Sequence, residues 1–217
     1  MIDLHTHTTY SDGELIPAEL ARRAKVAGYK ALAFTDHADH SNVQFVLDSL
    51  LRLVRDYSIH SDIELLAGVE ITHVPPALIP ECVRLARETG AQVVNVHGET
   101  LVEPVAGGTN LAAIEAGVDI LAHPGLITEK EARLAAEKNV FLEITTRKGH
   151  SLTNGHVLAM ARKANARLVI NNDAHAPGDL VGRDLRRRIG LGAGMSEEDL
   201  HMCEENAREF VRRKIMS

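Results

Sequence analysis

Aromatic side chains are scarce in this 217-residue chain, which has no Trp and only 4 Phe and 3 Tyr. Hydrophobic residues still make up 45%, so the interior has to be built from Ala, Val, Leu and Ile, as suits short buried strands alternating with helices. Cysteine is nearly absent. Cys82 and Cys203 fall in segments of helical pattern and no secretory leader precedes the first apolar run, so a cytoplasmic setting is expected rather than a disulfide framework. No apolar run approaches the roughly 20 residues that cross a bilayer, which argues against a membrane partner. Positive charge is in deficit, 24 Lys and Arg against 30 Asp and Glu. The balance of −6 disfavours duplex nucleic acid but leaves room for a local basic pocket. Against these shortages stands one excess, 12 histidines.

Short apolar runs at 2–4, 31–35, 65–71, 92–96, 120–122, 140–144 and 168–170 are each followed by an amphipathic run, at 17–27, 43–57, 76–89, 109–116, 128–138, 153–165 and 179–187. A last helix is expected over 197–214. The short runs lack clean alternation and are too brief for helices, which reads as parallel strands covered on both faces. Helix punctuation agrees: Pro17 and Pro76 suit first turns, Thr128 with Glu131 and Ser196 with Asp199 suit N-terminal caps, and Gly28 and Gly90 suit helix ends. The glycine-rich stretch 190–194 reads as a loop. Nothing divides residues 1–217, so one domain is expected. Seven uninterrupted βα units suggest an α/β protein, either an open doubly wound sheet or a slightly small, irregular barrel.

Placed on this frame, the polar residues cluster. His5, His7 and Asp12 follow strand one; Asp36 and His37 follow strand two; Glu70, His97 and His123 follow strands three, four and five; Asp173 and His175 follow strand seven. A strand repeats its side-chain direction every two residues, so His5 with His7, and Asp173 with His175, present two ligands each to one side. A single histidine at a strand end is more often a hydrogen-bonded loop residue. Six of seven strands delivering a histidine or acid at one level is the pattern of a metal centre. Imidazoles and carboxylates without Cys favour zinc, with manganese or iron as alternatives, and three carboxylates imply more than one ion. The other histidines read as structural: His60 and His201 in or beside helices, His73, His150 and His156 near loops. His40, just beyond His37, is the one placed to reach a substrate.

The segments IDLHTHTTYSDG at 2–13, TDH at 35–37, GVE at 68–70, HG at 97–98, AHPG at 122–125 and NDAH at 172–175 resemble, in order and spacing, the polymerase and histidinol phosphatase (PHP) family. The likeness runs to about His175 and is greatest to stand-alone histidinol phosphatase-like proteins. It implies a distorted (β/α)7 TIM-like barrel with a cluster of two to three divalent ions at the C-terminal ends of the strands. It further implies that His5, His7, Glu70 and Asp173 hold one ion, that Glu70 bridges to a second on His97 and His123, and that Asp12, His37 and His175 hold a third. Some members carry histidine where Asp12 stands.

Such a cluster lowers the pKa of a shared water enough to give hydroxide near neutral pH and offsets charge during in-line displacement at phosphorus. Glu70, Asp173 and His175 are accordingly expected to be catalytic. A phosphate dianion also calls for cations, and Arg147 and Lys148 past strand six, with Arg183 after strand seven, are the candidates. The expected activity is hydrolysis of a small phosphate monoester such as histidinol phosphate or a nucleotide phosphate. The alternatives are a PHP-type exonuclease or phosphodiesterase acting on single-stranded ends, for which base-stacking aromatics are lacking, and a non-catalytic module held together by its metals. An amidohydrolase reading would need a metal-bridging lysine after strand four, where this sequence has His97.

Overall fold

Strand residues of alternating parity build two different interiors. The computed structural model describes residues 1–216. Strands β1 (Ile2–Asp3) and β2 (Ala31–Phe34) precede the two-residue β3 (His37–Ala38) and then β4 (Glu64–Ile71), β5 (Val93–His97), β6 (Ile120–Ala122), β7 (Phe141–Thr145) and β8 (Leu168–Asn171). All pair in parallel in the order β1-β2-β4-β5-β6-β7-β8, with β3 on the edge of β4. Leu66, Val93, Ile120, Phe141 and Val169 form an apolar floor inside, plugged by Ala207, Phe210 and Val211. Two residues further along four of these strands come Gly68, Asn95, Glu143 and Asn171, and two beyond those come Glu70, His97, Thr145 and Asp173. The intervening residues, Leu65, Ala67, Val69, Val94, Val96, Leu142, Ile144, Leu168 and Ile170, belong to the larger outer core, which extends to buried helix residues such as Leu47, Ala86 and Leu158. The strands from β2 onward that carry these residues are thus apolar on their outer sides, with Asp3 the buried polar exception on β1, and the inner sides of β4, β5 and β8 turn from apolar to ligand-bearing along their length. That is the nearly closed, distorted TIM-type barrel expected.

The barrel closes between β1 and β8 just beyond the ends of those strands. Thr6 and Ala174 form an isolated parallel bridge, the His7 N–H donates to the Ala174 carbonyl at 2.9 Å and the Asp173 N–H to the His5 carbonyl at 3.0 Å. Lower down, the Leu4 N–H donates to the Asn171 side chain at 2.9 Å.

Eight helices return the chain: α1 (Pro17–Val26), α2 (Val43–Tyr57), α3 (Ile79–Glu88), α4 (Thr109–Glu115), α5 (Glu129–Lys138), α6 (Asn154–Ala164), α7 (Arg183–Gly192) and α8 (Glu197–Met216). Pro17 opens α1, and Thr128 and Glu131 form a reciprocal capping box on α5. Ser196 and Asp199 exchange equivalent bonds ahead of α8. One expectation needs correcting: the helix placed at 179–187 begins at Arg183 and runs through Gly190 to Gly192, where a loop was expected. The cause is a 3-10 turn over Pro177–Asp179, where the Asp179 carboxylate accepts the His175 and Ala176 N–H groups at 3.0 and 2.9 Å. Gly190 lies where α7 and α8 touch, and a Cβ there would lie 2.5 Å from Leu200 Cδ2.

Candidate metal centre

At the carboxyl end of the barrel, Glu70 sits at the bottom of a ring of imidazoles. Its Oε1 lies 3.2 Å from His5 Nε2 and 3.4 Å from His123 Nε2, and its Oε2 lies 2.9 Å from His37 Nδ1 and 3.6 Å from His7 Nε2. Asp173 faces the same rings, Oδ1 3.2 Å from His7 Nε2 and Oδ2 3.6 Å from His123 Nε2. Asp12, half-exposed at the rim, reaches His175 Nε2 at 3.2 Å and His37 Nε2 at 3.5 Å. His97 stands against His123, ring centroids 4.5 Å apart. All nine residues expected as ligands therefore meet in one place.

Backbone geometry makes the convergence possible. His123 and Asp173 take positive φ values of 27° and 54°, conformations rarely adopted by residues other than glycine. Gly98 lets the β5 and β6 ends come together: a Cβ there would lie 2.3 Å from the Ala122 carbonyl oxygen and 2.8 Å from Pro124 Cα.

These side chains suit cations rather than one another. Among the described residues, nine buried side-chain N and O atoms lack a hydrogen-bond partner, and all but Asn95 Oδ1 belong to His5, His7, Glu70, His97, His123 and Asp173. Such atoms are costly to leave unpaired. Two ligands about 2.1 Å from one ion in tetrahedral array lie about 3.4 Å apart, and the spacings above scatter around that value. Ligand atoms of His5, His7 and Glu70, and separately those of His7, Asp12, His37 and His175, all fall within 4.8 Å of one another. The histidine-rich cluster is a site that can hold metal ions.

Charges point the same way. Burial opposes protonation of His5, but Glu70, Glu143 and Asp173 outweigh it and hold its pKa well above the usual imidazole value. Glu70 is buried too, yet His5 above all pulls its pKa well below the carboxylate range. Burial and the adjacent His37 push His7 well below, while burial raises Asp173. An imidazole binds metal only in its neutral form, so an ion taken up by His5 would displace a proton.

Several residues orient the ring without being candidate ligands, and of these the sequence pattern places only Asp36 at the strand ends. Glu143, on β7, lies beneath His5 and His123; Asp36 accepts the Thr8 N–H at 2.7 Å and the Ser11 hydroxyl at 2.8 Å, fixing the loop that carries Asp12. Asp179 holds His175 through its N–H and Arg147 through a 3.0 Å ion pair. Glu103 and His150 line the cavity as well, with Glu103 3.0 Å from His97 Nε2 and 3.3 Å from His150 Nε2. A signal existed for His150: strand six was the only strand end without a ligand.

The cavity above Glu70 is about 410 Å³ and is lined by Asp12, His37, Ser41, Asn42, His73, Arg147 and Asp173 among others. Of the four residues expected to bind substrate, it brings in only Arg147. Lys148 and His40 are exposed and off the cavity wall. Arg183 lines a different cavity with Met1, Ile170 and Arg187, because the long 172–182 connection carries the chain past the mouth before α7 starts. No lysine lines the site cavity, which leaves the amidohydrolase reading without its bridging group.

Comparison with known proteins gives a consistent picture. Residues 3–98 match the family model described as PHP domain. An uncharacterized protein of Methanocaldococcus jannaschii is 47% identical over 200 residues, 91% of this chain and 92% of that protein. The DNA polymerase/3'-5' exonuclease PolX of Bacillus subtilis is 26% identical over 193 residues, which cover 80% of this chain but 34% of the polymerase. Among solved structures, a Listeria monocytogenes protein assigned as a histidinol phosphatase superposes with a TM-score of 0.60, over 84% of this chain and 98% of its own, at 13% identity. At that identity the likeness speaks to the fold alone.

Proposed function

This chain belongs to the PHP domain family, and from that premise we propose that it hydrolyses a small phosphate monoester in the cavity above Glu70. The fold is that of metal-dependent phosphoesterases, with a histidine-rich site able to hold metal ions. The reading rests on one observation above the others: the buried, unpartnered ligand atoms gathered around Glu70 and Asp173 adjoin, through His97 and Asp173, a polar cavity of small-molecule size.

The nine residues from His5 to His175 would hold two to three divalent ions, zinc first and manganese or iron as alternatives. Bound there, the ions supply Lewis-acid activation of water and charge compensation for phosphate oxygens. Glu70, central to the ring, spans the positions on either side of it. Asp173 and His175, across the β1/β8 seam, complete the catalytic group. The Arg147 guanidinium, 3.8 Å from Asp173 Oδ2 and held by Asp179, sits where a phosphate oxygen would meet a fixed donor fork. A dianion is the ligand that a cationic cluster with one arginine on its wall selects.

A second reading, cleavage at single-stranded nucleic acid ends, draws support from the Bacillus subtilis relative. The cavity wall carries no Phe, Tyr or Trp on which a base could stack. All nine ligand positions hold ligand-competent side chains, which counts against a non-catalytic module. The deciding experiment loads the protein with zinc or manganese and assays histidinol phosphate, nucleoside monophosphates and other monoesters beside a 5′-labelled single-stranded oligonucleotide. Turnover of a monoester is expected. Cleavage of the oligonucleotide with every monoester inert overturns the proposal.

A further inference from the structure

We propose that His150 is a metal ligand which, with His97 and His123, makes a three-imidazole position on the β5 to β7 side of the cavity; this rests on reading the cluster as metal-binding. The residue comes from the loop after β7, the one principal strand whose end supplies none of the nine ligands. It is buried, its ring lying flat on His123 with centroids 4.2 Å apart and 16° between planes, and edge-on to His97 at 5.8 Å and 86°. Ligand nitrogens of the three residues fall within 4.8 Å of one another, the same bound that holds for His5, His7 and Glu70, so small side-chain shifts would bring them onto one ion.

The ring of His150 is fixed for this role. Thr100 Oγ1 lies 2.7 Å from its Nδ1, so Nε2 faces the cluster, 3.3 Å from Glu103 Oε1 and 3.9 Å from Asp173 Oδ2. His97 and His123 each keep a buried Nδ1 without a hydrogen-bond partner. The Glu103 carboxylate, between His97 and His150, supplies the negative charge that a cation among neutral imidazoles needs. His156 shows what a structural histidine in this region looks like: its Nε2 pairs with the Ile127 carbonyl at 2.8 Å and it takes no part in the cluster.

The position has a consequence for substrate. His150 lies three residues after Arg147 on the same loop, so an ion on His150 anchors the segment that carries the phosphate-facing guanidinium.

Metal content and affinity test this directly. Wild type, His150→Ala, His150→Gln and His156→Ala are stripped, reloaded with zinc, dialysed and analysed by mass spectrometry for bound zinc, with competition titrations for affinity and cobalt(II) absorption spectra for the ligand set. Both His150 variants are expected to lose one zinc equivalent or to bind it at least about tenfold more weakly, with altered cobalt bands, while His156→Ala matches wild type. Circular dichroism of the metal-free proteins checks folding, and Thr100→Val, which keeps the imidazole but frees it, is expected to weaken binding less. Unchanged zinc number, affinity and cobalt spectrum in folded His150 variants overturn the assignment. Absence of monoester turnover by the wild type counts against the phosphatase reading alone, because the metal count does not depend on it.

Discussion

Glu143 Oε1 lies 2.8 Å from Nδ1 of His5, with both side chains fully buried, and the other oxygen of the same carboxylate accepts the His123 N–H at 3.0 Å. One acid beneath the ring thus orients two of its histidines, as carboxylates commonly do behind metal-binding imidazoles. Glu143→Gln is expected to lower zinc affinity about 10- to 100-fold while every ligand stays in place. Competition titration against a chelator of known affinity measures it.

Asp173 separates function from stability. Burial raises its pKa, so the metal-free fold disfavours the ionised form of this carboxylate. Asp173→Asn should leave the metal-free urea midpoint unchanged or higher at pH 7, yet cut kcat/KM at least about 100-fold. His123→Ala should likewise lose activity far more than stability. Normal turnover by either variant sinks the site assignment.

Removing metal should cost stability. With ion at about 100 times its Kd, binding adds about 2.7 kcal/mol, roughly 5–10 °C in Tm for a chain of this size. Calorimetry before and after chelation, and after readdition of zinc or manganese, tests it; identical Tm values would mean that no ion is bound.

A pH effect of opposite sign to ordinary acid denaturation is expected at Asp3. Burial pushes its pKa up from 3.8 to about 6. The folded state therefore holds this proton where the unfolded chain has lost it, so Asp3's contribution is fully present below about pH 3.8 and is lost as pH rises through about 6. In metal-free protein, urea unfolding between pH 4 and 7 should show a shallower loss of stability with rising pH for Asp3→Asn than for wild type.

The cations past β7 should behave unequally. Arg147 lines the cavity and is held by Asp179, whereas Lys148 is exposed beside it. Arg147→Ala is expected to lower kcat/KM about 10- to 100-fold; Lys148→Ala and His40→Ala should stay within about twofold of wild type. Steady-state kinetics on the monoester identified in the panel distinguishes them.

The strand ends were legible because their ligands recur as paired or isolated polar residues just after apolar runs, as with His5 and His7 or Asp173 and His175. Glu143 was not, since a glutamate inside a strand reads as a surface position until the barrel places it inward. Its neighbours Asn95 and Asn171 share the trait: all three are buried polar residues two positions beyond an apolar floor residue, an alternation that an overall apolar reading of the strands hides. His150 was passed over because single loop histidines are usually structural. Arg183 was misplaced because the turn held by Asp179 lengthens the last connection, a tertiary effect with no local pattern beyond Pro177.

The seam between β1 and β8 also sets an order of events. His5, His7 and Glu70 leave a ribosome more than a hundred residues before Asp173 and His175, and the bridge of Thr6 to Ala174 cannot form until they arrive. Until then the nascent chain exposes an incomplete set of chelating side chains. The full centre and the closed barrel come into being together, at the last strand.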